Sequence, residues 1–307
     1  MNFDRNFSVL ALKGKQQAVA HVHRLFEAEG SAERVGADSK QLFAFIEETA
    51  NHYFDNPYHN FFHAADATNL MAWILTRPVL HQHIPPLHRL MLMVGTLVHD
   101  MEHPGHDNNM EITIKSDWAQ KYNNASVLEQ HSLSVTMALL QQPALNFLAH
   151  LDADQTEEAL QLLNRLVLIT DFAFHHQFLQ TFSHRLTQSW AWKDSDFLSL
   201  VEQAAIKAAD IGNTAKEYEQ SKLWGERVMQ EFWAQGREEK AYNLPVAQMH
   251  DPAKVELHES QANFIRHEVL GLCQLLARVE PAMMEIVAML EQNLLRYQME
   301  ADALVKK

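Results

Sequence analysis

The chain has 307 residues, 47% of them apolar, enough to bury one large core or two smaller ones and too apolar for a disordered protein. Its 25 lysines and arginines stand against 39 aspartates and glutamates, a formal charge of −14 that argues against non-specific binding to nucleic acid or anionic lipid. Cys273 is the only cysteine, so no internal disulfide can form; the amino terminus also lacks a secretory profile, and the expected setting is a reducing cytoplasm.

Nine prolines and nine glycines, with no proline between Pro143 and Pro245, predict a mainly helical chain. Asp55-Asn56-Pro57 marks a turn, with Pro57 expected as the first residue of a helix whose opening turns carry His59 and His63 at i, i+4. Arg77-Pro78 and Pro85-Pro86 mark further ends. The run from Leu90 to Val98 is about half the ~18 residues that would argue for a membrane span. Leu90 to Asp100 reads instead as a buried helix that delivers His99 and Asp100 at its carboxyl end, where unpaired carbonyls favour a cation. His103 follows at i, i+4 from His99, just before the break at Pro104-Gly105.

Further along, Leu160, Leu162, Leu163, Leu166 and Val167 recur at the three-and-four spacing of one helix face, as do Val269, Leu272, Leu275 and Leu276. Asp210 closes the apolar segment Ala204–Ala209, where an acid is costly to bury unless it is salt-bridged or metal-bound. Leu244-Pro245 is a loop. No repeat or linker divides the chain. The expected architecture is all-α, a single compact multi-helix domain over 1–307, its motif-bearing core at about 50–300, helices in 1–49 packed on it, and a frayed tail at 301–307.

The histidines and aspartates form a spaced series. Neutral imidazole suits zinc, and carboxylates can bridge to a harder ion such as magnesium or manganese, so the set reads as a metallohydrolase centre. With 19 histidines a His-x-x-x-His pair arises by chance, and the argument rests on the combination. His21, His23, His81, His83, His88, His175 and His176 have no comparable context and read as surface or core residues.

Six blocks occur in order: Tyr58-His59-Asn60-Phe61-Phe62-His63-Ala64-Ala65-Asp66; His99-Asp100-Met101-Glu102-His103-Pro104-Gly105 with Asn108; Ser126-Val127-Leu128-Glu129; Thr170-Asp171; Ala209-Asp210-Ile211-Gly212-Asn213; and Ser260-Gln261-Ala262-Asn263-Phe264. Together they resemble the catalytic domain of class I cyclic nucleotide phosphodiesterases, within the HD-type metal hydrolases. The resemblance implies that His63, His99, Asp100 and Asp210 hold a tight zinc and that Asp100 also bridges to magnesium or manganese. It implies that His103, Glu129 and Thr170 orient waters around the second ion. His59, not a ligand, would protonate the departing ribose 3′ oxygen to give a nucleoside 5′-monophosphate. Gln261 would clamp the base between Phe264 and Val228, with Tyr58 and Asn213 lining the substrate pocket.

Five residues depart from the family pattern. Glu102 stands where aspartate is usual, which predicts a longer reach without loss of metal. Ser132 replaces a common second histidine, leaving His131 alone and one water contact at the second metal open. Thr214 replaces a frequent proline, and His106-Asp107 is unusual near a pocket mouth. The implied partner is a cyclic nucleotide, leaning toward cyclic AMP over cyclic GMP with dual specificity open; neither nucleic acid nor membrane is expected, and the oligomeric state is not legible. The alternatives are an HD-type hydrolase of another nucleotide or phosphate ester, and a catalytically silent nucleotide-binding protein.

Overall fold

Residues 3–305 are described by a computed structural model, and among them the regular structure is entirely helical. The Phe61–Leu75 helix lies at the centre, with every residue from His63 to Leu75 buried. A helix surrounded by protein tolerates polar residues only where each finds a partner. Asp66 pairs with the Lys216 ammonium at 3.0 Å, Thr68 Oγ1 donates to the Ala64 carbonyl at 2.7 Å, and Asn69 meets the His21 ring at 3.1 Å. Around it pack the Lys15–Glu29, Pro86–Val98 and Ser195–Asp210 helices.

This helix begins at Phe61 rather than at Pro57. Asn60, in extended backbone, caps it by accepting the N–H groups of Phe62 and His63 at 2.8 and 3.3 Å. Its amide nitrogen reaches back to the Asn56 carbonyl at 2.7 Å and closes residues 56–60 into a turn. An asparagine cap therefore outcompetes a proline start. His59 lies ahead of the helix, so the expected i, i+4 relation to His63 does not exist.

The Pro86–Val98 helix starts at a proline in its first turn and is buried along nearly its whole length, as its apolar run predicts. His99 caps its end. The chain then turns through Glu102, which sits at φ +58°. Left-handed backbone is costly for a non-glycine residue. Here it is held by the Glu102 N–H donating to the His52 carbonyl at 2.7 Å, and by its carboxylate meeting the His52 and His131 rings, each at 2.7 Å. That turn ends the helix before His103, so His99 and His103 do not share a helical face.

One apolar cluster runs from Phe3 to Tyr297, with the amino-terminal residues inside it. Lys216 ties the first residues down by donating to the Arg5 and Phe7 carbonyls at 3.0 and 2.9 Å, and buried Arg89 pairs with buried Glu29 of the Lys15–Glu29 helix. The leucine patterns form the Ala153–Leu168 helix, opened by a capping box of Asp152 and Gln155, and the Leu270–Val279 helix. Between Leu257–Phe264 and the latter lies a π-helical turn, Ile265–Val269. The last helix, Met284–Val305, continues past residue 301, where fraying was expected; residues 306 and 307 lie outside the described residues. No helix among the described residues is long and apolar enough to cross a membrane.

Candidate active site

Three helix ends converge. His63 comes from the first turn of Phe61–Leu75, His99 and Asp100 from the end of Pro86–Val98, and Asp210 from the end of Ser195–Asp210. His63 Nε2 lies 3.4 Å from Asp100 Oδ2 and 3.2 Å from Asp210 Oδ1; His99 Nε2 lies 3.0 and 3.2 Å from the same two oxygens. Donors held about 2.0–2.2 Å from one ion stand roughly 3–3.5 Å from each other at tetrahedral or octahedral angles. Neither ring nitrogen of buried His63 has a hydrogen-bond partner of good geometry, an unusual state for a buried imidazole. His99 Nδ1 faces the Thr96 carbonyl at 2.9 Å, which fixes its proton there and leaves Nε2 as the donor atom.

Electrostatics agree with a cation site. Burial would lower His63 and His99, yet the Asp100 and Asp210 carboxylates raise both; burial would raise the two acids, yet the imidazoles hold both below the usual range. Four such donors, which otherwise neutralise one another by sharing protons, form a set that could hold a metal ion.

Beside them stands His59. Glu231, buried on the Tyr218–Ala241 helix, accepts the backbone N–H groups of Tyr58 and His59 at 2.8 and 3.0 Å and pairs with His59 Nδ1. Burial opposes the His59 charge, but the carboxylates, Glu231 foremost, raise it to about 9. His103 stacks on His59 with ring centroids 3.9 Å apart, and burial, helped by the His59 charge, pushes it down to about 3. Two touching imidazoles are thus driven apart, one kept protonated and one kept neutral. Asn56 Nδ2 holds the pair in register, donating to the His59 and His103 carbonyls at 3.0 and 2.7 Å. The donor atoms of His59, His103 and Glu231 also lie within 4.8 Å of one another, though the His59–Glu231 bond already uses two of them.

Glu129, half-buried, accepts from Asn108 Nδ2 at 3.0 Å and is pushed up to about 7 by desolvation and by Asp171. Thr170 Oγ1 donates to the Val167 carbonyl at 2.7 Å, so only its oxygen lone pairs remain to be used. Lys207 is buried nearby, its Nζ on the Ile169 carbonyl at 2.8 Å and its ammonium pushed down to about 8 by burial. Two of the departures are satisfied within the fold: Glu102 spends its longer reach on His52 and His131, and the Ser132 hydroxyl has the Met101 and Leu128 carbonyls at 3.0 and 3.1 Å as acceptors for its one proton. His106 bridges Glu111 and Glu238, while Asp107 caps the Asn108–Ile114 helix.

Among the residues expected to line a substrate pocket, Asn213 Nδ2 donates to the Tyr58 hydroxyl at 2.6 Å. Gln261 is buried against Gly225, one turn before half-buried Val228. The ring that stacks on Phe264 is Phe172, at 6.0 Å and 29°. Glu231, Asn56, Phe172 and Gly225 escape the sequence reading. For Glu231 a signal existed, the one used for Asp210: an acid three residues after Val228 and seven after Trp224, on the apolar face of a helix. The other three carry none.

The fold and the donor cluster define an all-α protein with a two-histidine, two-carboxylate candidate metal centre. The family described as 3'5'-cyclic nucleotide phosphodiesterase matches residues 58–290, and the chain belongs to that family, whose members are metal-dependent hydrolases. It is 29% identical over 292 residues to "cGMP-specific 3',5'-cGMP phosphodiesterase 3" of Dictyostelium discoideum, covering 95% of this chain and 62% of that protein. It is 34% identical over 266 residues to "Probable 3',5'-cyclic-AMP phosphodiesterase pde-4" of Caenorhabditis elegans, covering 84% and 39%. The chain thus spans less than two thirds of these curated relatives. Among solved structures, the phosphodiesterase domain of the RhoPDE fusion protein from the choanoflagellate Salpingoeca rosetta superposes with a TM-score of 0.94 at 26% identity, covering 99% of this chain and 97% of that one.

Proposed function

We propose that this chain is a catalytic unit that hydrolyses the 3′ ester of a 3′,5′-cyclic nucleotide to the nucleoside 5′-monophosphate. The observation that carries the reading is the convergence of four potential metal donors beside a histidine paired with a buried glutamate, in a chain of this family. His63, His99, Asp100 and Asp210 would hold zinc; Asp100, with waters placed by His103, Glu129 and Thr170, would hold magnesium or manganese. When bound, the ions supply Lewis-acid polarisation of the phosphate and an activated water.

The chain's own groups do the rest. Glu231 takes Nδ1 of His59, so Nε2 is the proton available to the leaving 3′ oxygen, and three bonds from one carboxylate keep that ring from turning away. His103, neutral, accepts the Gly105 N–H at Nδ1 and adds no competing charge beneath it.

Base binding falls to Gln261, Phe264, Val228, Asn213 and Tyr58. The amide nitrogen of Asn213 gives one of its two N–H groups to Tyr58, which turns its oxygen outward as an acceptor suited to the exocyclic amine of adenine. Cyclic AMP is therefore preferred, with cyclic GMP accepted by rotation of the Gln261 amide; relatives named for each nucleotide stand on both sides of that choice. The single buried thiol, Cys273, accords with a cytoplasmic setting. The test is hydrolysis of both nucleotides by zinc- and magnesium-reconstituted protein, with the product identified. Nucleoside 5′-monophosphate is expected. A 3′-monophosphate, or turnover only of non-cyclic esters, would replace this reading with that of another HD-type phosphohydrolase.

A further inference from the structure

Two glycines interrupt the 24-residue Tyr218–Ala241 helix, where any residue but proline would be intrinsically better placed. Gly236 is explained by the fold. A Cβ there would stand 2.1 Å from the His250 carbonyl oxygen, a backbone atom that cannot yield. At Gly225 the nearest atoms belong to a side chain rather than to backbone. The three nearest atoms to a built Cβ all belong to the Gln261 side chain, Cδ and Cγ at 3.0 Å and Oε1 at 3.2 Å. The space that a side chain at 225 would fill is occupied by Gln261. That glutamine is buried, yet among the described residues no hydrogen bond holds its side-chain amide.

We propose that Gly225 is a positioning residue that fixes how Gln261 meets the base and thereby tunes the choice between purines. The inference rests on the reading of Gln261 as the base clamp. Adenine offers a ring acceptor beside an amino donor, whereas guanine offers a ring N–H beside a carbonyl acceptor, so the two demand opposite orientations of one amide. A glutamine pinned by neighbouring hydrogen bonds would serve one purine. Gln261 is instead positioned by contact, its Cγ, Cδ and Oε1 lying 3.0–3.2 Å from where a Cβ at residue 225 would stand. A Cβ at 3.0–3.2 Å would push the amide by a few tenths of an ångström, enough to spoil a hydrogen bond but not to disturb the metal donors.

The test is Gly225→Ala in the full chain, reconstituted with zinc and magnesium, with KM and kcat for both cyclic nucleotides, bound metal and Tm measured together. KM is expected to rise about 5- to 30-fold, as for a modest overpacking displaced onto the ligand. The cyclic AMP to cyclic GMP ratio of kcat/KM shifts, zinc content stays, and Tm is unchanged or raised because alanine favours the helix. A purely structural glycine predicts the change in Tm alone, and unaltered KM for both nucleotides would overturn the proposal. In a Gln261→Ala background the same substitution should add nothing to KM, since the contact is gone; a full additive effect would equally overturn it. If Gly225→Ala folds poorly, the proposal requires the double variant to regain Tm, and failure to regain it counts against Gln261 as the partner. Should Gln261→Ala itself leave KM untouched, the base-clamp reading falls; an impaired Gln261→Ala beside a silent Gly225→Ala removes this inference alone.

Discussion

The proposed metal end and the proposed base end of the candidate site are held by different physics. At the metal end each donor sits on a helix terminus or a pinned turn: Thr96 fixes the His99 ring, Asn56 ties the His59 and His103 backbones, and one buried carboxylate grips Tyr58 and His59 together. At the base end Gln261 leans on a glycine, and Phe264 stacks on a half-exposed Phe172. Charge development demands preorganised partners, so the reacting end is over-determined. Base recognition tolerates movement, and the difference teaches that substitutions at the two ends should fail in different ways.

The sharpest break comes at the donors. Asp100→Ala and Asp210→Ala are expected to abolish turnover and strip zinc, read by elemental analysis, while far-ultraviolet circular dichroism stays helical. Each removes one of two carboxylates that the buried imidazoles face at 3.0–3.4 Å. An active preparation with no metal and no sensitivity to strong chelators would sink the two-metal reading. Next in size is His59→Asn, expected to keep its zinc and lose about 10²- to 10⁴-fold in kcat, the usual worth of a general acid. Normal turnover, or an emptied metal site, would remove His59 from that role.

Sequence reading reached these two ends unequally. The buried helix ending in His99-Asp100 and the costly acid at Asp210 are legible because burying charge in an apolar run carries a penalty that needs an explanation. Helix starts were read less well. Pro57 has the right chemistry to begin a helix, but Asn60 three residues later caps better, and the choice between them is made by the Asn56 bond that closes the turn. His103 leaves the helical face that its i, i+4 spacing from His99 suggests, because the turn through Glu102 depends on a left-handed residue stabilised by His52, fifty positions away. Gly225 and Phe172 could not have been found at all, since their significance lies in contacts with Gln261 and Phe264 that no local spacing encodes.

At the base end the expected losses are smaller and fall on binding. Gln261→Ala should raise KM and lower kcat/KM by roughly 5- to 150-fold, the cost of about 1–3 kcal/mol for an unpaired buried contact, with zinc content unchanged. Phe264→Ala should weaken purine binding in the same direction through lost stacking and apolar contact. A Gln261→Ala variant that lost Tm while keeping its kinetics for both nucleotides would make the residue structural and erase the contrast between the two ends.

The smallest effect at neutral pH is expected at Glu231, and its signature is a displaced pH profile. The Glu231 charge, against the opposing effect of burial, leads the groups that raise His59 to about 9. A general acid must carry its proton, which is present below that pH and lost as pH rises through it, so kcat should fall on an alkaline limb. Cations bound at Asp100 and Asp210 would move the limb lower in every form of the protein, but Glu231 is not a proposed ligand, so its own contribution remains. Glu231→Gln keeps an oxygen to accept from Nδ1 and removes the charge, drawing His59 back toward the ordinary value near 6.5. The alkaline limb should therefore shift to lower pH, with a loss of only about 2- to 10-fold near pH 7 that recovers as pH is lowered. A limb that stays in place while kcat drops uniformly would show that Glu231 orients the ring without setting its charge, and an unaltered profile with unaltered rate would detach it from catalysis.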